Sequence, residues 1–147
     1  MGGCNKPVDF LAGPGNAYVA EAKRQLFGQV GVDLIAGPSE ILILADDTAS
    51  PSVLAADLLA QAEHDPDAVA VLVTTSHKVG ERVLVEIERQ LAELPTQAVA
   101  SASWRANGEV VVVQDAEEAA ALADKYASEH LHVHARDPEW YRQRLRN

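Results

Sequence analysis

Gln61 and His64 stand three residues apart near the end of the run Leu54-Ala55-Ala56-Asp57-Leu58-Leu59-Ala60-Gln61-Ala62-Glu63-His64. Residues at that spacing project from one face of a helix. A single short segment could therefore offer an amide oxygen and an imidazole nitrogen to one metal ion. Asp57, four residues before Gln61, shares the polar stripe. A plainer reading stands beside this one: a histidine in a last helical turn complements the helix dipole and can hydrogen-bond unpaired carbonyls.

Glu129-His130 places a carboxylate beside an imidazole at the start of a strand-like run. Histidine titrates near neutrality and suits proton transfer. Neighbouring strand residues face opposite ways, so the two meet in one cavity only at a strand end. His130, His132 and His134 alternate and share one face. They could form a second metal cluster, but no carboxylate or cysteine partner lies nearby in the sequence, so His132 and His134 read as solvated positions. Asp46-Asp47 closes another apolar run and could hold a hard cation; with no phosphate loop beside it, capping of the next helix is the better reading. Gly13-Pro14-Gly15-Asn16 permits a tight turn into a helix whose N-terminus attracts anions, or is simply a capped turn. It lacks the spacing of the dinucleotide fingerprint, with Tyr18 where a glycine would stand. Ser39, in Gly37-Pro38-Ser39-Glu40, could bond a ligand or stabilise the turn.

These residues are carried by alternating strand-like and helix-like segments. Val8–Ala12, Ile41–Ala45, Ala68–Thr75, Glu109–Gln114 and Leu131–Ala135 read as strands. Helices are expected over Ala17–Phe27, Pro51–His64, His77–Leu94, from Asp115 to about Ala127, and after Asp137-Pro138. Gly28 suits a left-handed helix end, and Asp115 with Glu118 has the spacing of a capping box. Ala98–Ser103 is ambiguous between strand and loop. The alternation predicts an α/β fold, with a parallel, doubly wound, Rossmann-like sheet and helices on both faces. No linker or repeat divides residues 1–147, which read as a single α/β domain. Loops that follow strands share one edge of such a sheet, where ligands commonly bind. Glu129-His130 precedes its strand and falls at the opposite edge.

The chain has 147 residues, 48% of them hydrophobic, and a formal charge of -10. That charge argues against nucleic-acid partners. Cys4 stands alone, so no internal disulfide framework is expected and a reducing, cytoplasmic setting is the default. No run is long enough to span a membrane.

Taken in order, Gly13-Pro14-Gly15-Asn16, Ala22-Lys23-Arg24, Gly37-Pro38-Ser39-Glu40, Ala45-Asp46-Asp47-Thr48-Ala49, Ala55 to Asp65 and Glu129-His130-Leu131 resemble the histidinol dehydrogenase family. The resemblance implies a zinc-dependent oxidation of a primary alcohol to a carboxylate through the aldehyde, using NAD, with L-histidinol as the small-molecule alcohol. It implies that Gln61 and His64 are zinc ligands that also frame the substrate, that Asn16 contacts NAD, and that Ser39 binds substrate. His130 is then the general base, also touching substrate, and Glu129 the residue that activates water. A homodimer is implied likewise. Ala17–Glu21, Trp104–Glu109, Ser128 and Trp140-Tyr141 are more similar to the sulfopropanediol dehydrogenase branch, which oxidises a sulfonated diol, whereas Ser39 is expected of the histidinol enzymes. Family members are longer. Their remaining zinc ligands, an Asp and a His, lie beyond Asn147, and much of the nucleotide-binding region lies before Met1. The chain is therefore expected to be an incomplete part of a larger enzyme, inactive alone, with a folded or binding module as the alternative role. A metal-storage or sensor role would instead require His132 and His134.

Overall fold

The computed structural model describes residues 7–15, 17–35 and 39–147. The chain divides into two compact units, Met1–Gly37 and Pro38–Asn147, a finer partition than the single domain read from the sequence.

In the first unit, β1 (Phe10–Leu11) and β2 (Gly31–Val32) pair in parallel across the helix α1 (Ala17–Leu26). Strand β2 is too short to show an alternation and was not legible in the sequence. Gly28 adopts φ +84 just past the helix, as a left-handed helix end requires.

The second unit is built on a parallel four-stranded sheet. Its elements are β3 (Glu40–Ala45), α2 (Pro51–Ala62), β4 (Val69–Thr74), α3 (His77–Leu91), α4 (Gln97–Asn107), β5 (Gly108–Val112), α5 (Ala116–Tyr126), β6 (His130–His134) and α6 (Pro138–Arg142). The spatial order is β5-β4-β3-β6. Strands β3 and β4 are central and nearly continuous in apolar residues because both of their faces are covered. Ile41, Ile43, Ala45, Ala70 and Leu72 pack against α2, α3 and α4 through Leu54, Leu58, Val83, Ile87 and Ala100. Leu42, Leu44, Val71 and Val73 pack on the other face against Ala119, Ala120 and Ala123 of α5 and Tyr141 of α6. The chain steps outward from β3 to β5 with its helices on one face. It then returns past β3 to β6 with α5 on the other, as a uniform right-handed crossover demands. The doubly wound fold is as expected.

Two local expectations change. Ala98–Ser103 lies inside α4. Its small residues mimic a strand alternation, but Ala100 and Ser103 are both buried at the three-residue spacing of a helix face, and Ser103 Oγ donates to the Ala68 carbonyl at 2.9 Å. A side chain at Gly108 would collide with Trp104, so glycine lets the strand leave that helix closely. Helix α2 stops at Ala62 rather than His64. Ser50 stands at its N-cap without a side-chain bond, and the start rests on Pro51 instead. At α5, Asp115 accepts from the Glu118 N–H at 2.9 Å, while Glu118 reaches back to the Gln114 N–H at 2.8 Å.

Candidate active site

Parallel strands joined by returning helices impose a simple rule: each helix ends at the edge where the next strand begins. Helix α2 therefore delivers Gln61 and His64 to the amino-terminal edge of the sheet, ahead of β4. Residue Glu40 of β3 pairs with Val69 of β4, and Ile41 with His130 of β6. Ser39, just before β3, accepts the Val69 N–H on its carbonyl at 3.3 Å. Ser39, Gln61, His64, Glu129 and His130 thus belong to one edge. Glu129-His130 does lie opposite the loops that follow strands, and Gln61 and His64 lie there with it.

The ladder geometry sharpens this. Asp57 of α2 meets both His132 Nδ1, at 3.2 Å, and His134 Nε2, at 3.0 Å. Four residues along a helix advance about 6 Å, and two residues along a strand about 6.6 Å. Because α2 runs antiparallel to β6, Gln61 comes down to the level of His130. His132 is exposed and His134 half-buried, in keeping with solvated positions, but both also have a carboxylate partner in Asp57, supplied from 75 and 77 positions away. Nothing local in the sequence announces it.

Gln61 is 7% exposed, and its Nε2 has no hydrogen-bond partner among the described residues. An unpaired buried amide costs about 1–3 kcal/mol, so it is retained against stability. His64 is exposed beyond the end of the helix. Its N–H donates to the Gln61 carbonyl at 3.2 Å, closing a tight turn just past the helix. An amide and an imidazole on one corner, beside carbonyls at the negative end of a helix, favour a cation. The pair fits two positions of a zinc shell; a catalytic zinc takes three protein ligands, so a further donor must come from outside this pair.

Glu129 Oε1 lies 3.9 Å from His130 Nε2, and both side chains are about half exposed. The opposite-facing rule for strand neighbours does not separate them, because Glu129 sits in a bend before β6 begins. The Ser128 hydroxyl donates to the His130 carbonyl at 3.0 Å and fixes this entry.

Asp46 is structural, as a capping role predicts, although it caps a turn rather than the helix. Its Oδ1 accepts the Thr48 N–H at 2.8 Å, and its Oδ2 accepts the Arg136 N–H at 2.7 Å. Burial works to raise its pKa, but those N–H donors and the Thr48 hydroxyl outweigh it and leave the carboxyl below its ordinary range. The cleft at the carboxyl ends of the strands, about 550 Å³, is lined by Asp46, Asp115, Glu117, Asp137 and Arg136 among others. Asp115 and Asp137 in it accept backbone N–H groups of α5 and α6.

In the first unit, Gly13 holds φ +136, which favours glycine, and donates its N–H to Asp33 Oδ2 at 2.8 Å. Lys23, 7% exposed, donates to the Gly13 carbonyl and Asp33 Oδ1, each at 2.6 Å, and to the Leu34 carbonyl at 3.2 Å. The Lys23 ammonium, then the Gly13 and Leu34 N–H groups, hold the Asp33 carboxyl well below the usual carboxylate range. All three ammonium protons are committed, so Lys23 braces the turn and leaves anion binding to the start of α1. A cavity of about 280 Å³ opens beside Gly13, Pro14, Gly15 and Val19. A glycine turn into a helix N-terminus fits a dinucleotide phosphate. Asn16 itself lies outside the described residues, as do Gly37 and Pro38. Sequence reasoning gave Lys23 no role because a buried lysine has no local signature.

The histidinol dehydrogenase family model matches residues 3–147. A "histidinol dehydrogenase homolog" of Shouchella clausii is 54% identical over 140 residues, covering 95% of this chain and 33% of that protein. The histidinol dehydrogenase of Cereibacter sphaeroides is 51% identical over 142 residues, covering 97% of this chain and 33% of its own length. The crystal structure of histidinol dehydrogenase from Elizabethkingia anophelis superposes with a TM-score of 0.87 at 39% identity, over 97% of this chain and 33% of that one. The chain spans about a third of the length of the curated relatives it matches. Among the described residues, no helix is long and apolar enough to cross a membrane.

Proposed function

Given that the chain belongs to the histidinol dehydrogenase family, we propose that it forms part of an enzyme oxidising L-histidinol, through the aldehyde, to L-histidine. The observation that carries this reading is the gathering of Ser39, Gln61, His64, Glu129 and His130 at one sheet edge. The first oxidation removes a hydride from the carbinol carbon and a proton from its hydroxyl. His130, exposed at the edge and with no ring hydrogen bond among the described residues, accepts that proton. The second oxidation requires the aldehyde to be hydrated first, so that another hydride can leave the same carbon. Glu129, beside His130, takes a proton from the attacking water. Ser39 and the imidazole of His64 orient the substrate. Gln61 and His64 would hold zinc, which when bound supplies a Lewis acid that lowers the alcohol pKa. The turn at Gly13–Gly15 and Asn16 would hold NAD, which when bound accepts the hydride. Homodimerisation is part of the same proposal.

The test is NADH formation from L-histidinol by the polypeptide carrying this segment. His130→Gln is expected to lower kcat by about 10²–10⁴-fold. Glu129→Gln should slow the aldehyde step more than the alcohol step. Undiminished turnover in both variants would overturn the proposal.

A sulfonated diol is the second reading, favoured by Ser128. That residue is similar to the sulfopropanediol branch, and here it fixes the backbone of the proposed base. The ratio of kcat/KM for the two alcohols decides between them.

A further inference from the structure

We propose that Asp57, His132 and His134 form a second metal site, distinct from the Gln61–His64 corner, for a divalent ion of the zinc class. Alternate residues of β6 turn two imidazoles toward α2, and the single carboxylate oxygen Asp57 Oδ2 receives both, at 3.2 Å from His132 Nδ1 and 3.0 Å from His134 Nε2. All three ligand atoms lie within 4.8 Å of one another. Zinc bonds of 2.0–2.1 Å in a tetrahedron place neighbouring ligand atoms about 3.3 Å apart. The two observed separations therefore already approximate two edges of such a site, and the third, between the imidazole nitrogens, lies within 4.8 Å and closes as the partly exposed rings turn.

The donor chemistry selects the ion. Two neutral imidazoles and one carboxylate suit zinc, nickel, cobalt or copper better than magnesium or calcium, which prefer an all-oxygen shell. The side chains are between 29% and 48% exposed, so water reaches the remaining coordination position. Bound there, the ion clamps α2 to the edge strand β6. Two residues along the strand and one turn along the helix separate the site from Gln61 and His130.

The test is zinc binding to the chain after chelator stripping, by competition with a chromophoric chelator, together with the visible spectrum of the cobalt form. Wild type should bind saturably with a four- or five-coordinate cobalt spectrum, and zinc should raise its Tm. His132→Gln and His134→Gln keep a donor for Asp57, so the fold is retained. Each should weaken zinc at least about tenfold, since loss of an outer-shell partner alone costs 10–100-fold. Each should also abolish the rise in Tm. Gln61→Ala with His64→Ala should leave this site intact even if turnover is lost, so the proposal can fail independently of the proposed activity. Absence of saturable zinc in wild type, or zinc affinity untouched by His132→Gln and His134→Gln, would overturn it.

Discussion

The two edges of the four-stranded sheet carry similar residue types and use them differently. At the carboxyl ends of the strands, helices begin, and each exposes N–H groups without intrahelical partners. Carboxylates are drawn to them: Asp115 and Asp137 cap α5 and α6, and Asp46 accepts N–H groups from Thr48 and Arg136. At the amino ends, helices finish and expose carbonyls instead, which an amide oxygen or a carboxylate cannot satisfy. There Gln61 keeps an unpaired Nε2, and among the described residues the Ser39 hydroxyl and the His64 ring form no hydrogen bond. The same backbone asymmetry that consumes acids at one edge leaves a cation-favouring potential at the other. One edge spends its polar groups on structure, and the other leaves them available for the binding proposed above.

That contrast can be broken by mutation. The largest effect should come from His130→Gln, which the proposed chemistry expects to cost orders of magnitude in kcat while shifting stability by no more than about 0.5 kcal/mol, as for other exposed positions. A comparable loss of folding stability, measured by denaturant titration, would place His130 with the structural residues.

Asp46→Ala, at the other edge, should do the reverse and lower unfolding free energy by about 1–3 kcal/mol, since it removes a charged acceptor and orphans the Thr48 and Arg136 donors. Its pH dependence follows from the lowered pKa. A carboxyl with a folded pKa below its unfolded value near 3.9 contributes fully above that value, and the contribution fades as pH falls through the folded pKa. The Tm gap between wild type and Asp46→Ala should therefore be wide at pH 7 and narrow in acid. An unchanged gap would show that the carboxylate bonds are not what Asp46 contributes.

Gln61→Leu should stabilise the fold by up to about 1 kcal/mol, because it removes a buried unpaired amide, while abolishing any binding at that corner. Such an exchange of function for stability marks a functional position. Destabilisation instead would mean that the amide has a partner in solution. The smallest effect is expected from Ser39→Ala and His64→Ala, each within about 0.5 kcal/mol of wild type by thermal melting.

Much of the fold was legible in the chain itself. The unbroken apolar runs at Ile41–Ala45 and Val69–Val73 require a strand covered on both faces, and caps such as Ser76, Asp115 and Asp137 mark helix starts through local bonds. Local chemistry misled where small residues have no strong period, as in α4, and at the end of α2, where the chain tightens before Asp65-Pro66. The positions of Ser39, Gln61, His64, Glu129 and His130 near element ends were also legible, because caps and apolar runs locate those ends from local sequence alone; their roles rest on the family resemblance.

What the sequence could not express was distance. Asp57 meets His132 and His134 across more than 70 positions, and Lys23 finds Asp33 and the Gly13 carbonyl across a helix. Periodicity and capping are set by bonds within a few residues, so they can be read from order alone. Side-chain partnership between a helix and an edge strand depends on the direction of the crossover and the register of the sheet. Those are fixed only when the two hydrophobic faces close around β3 and β4.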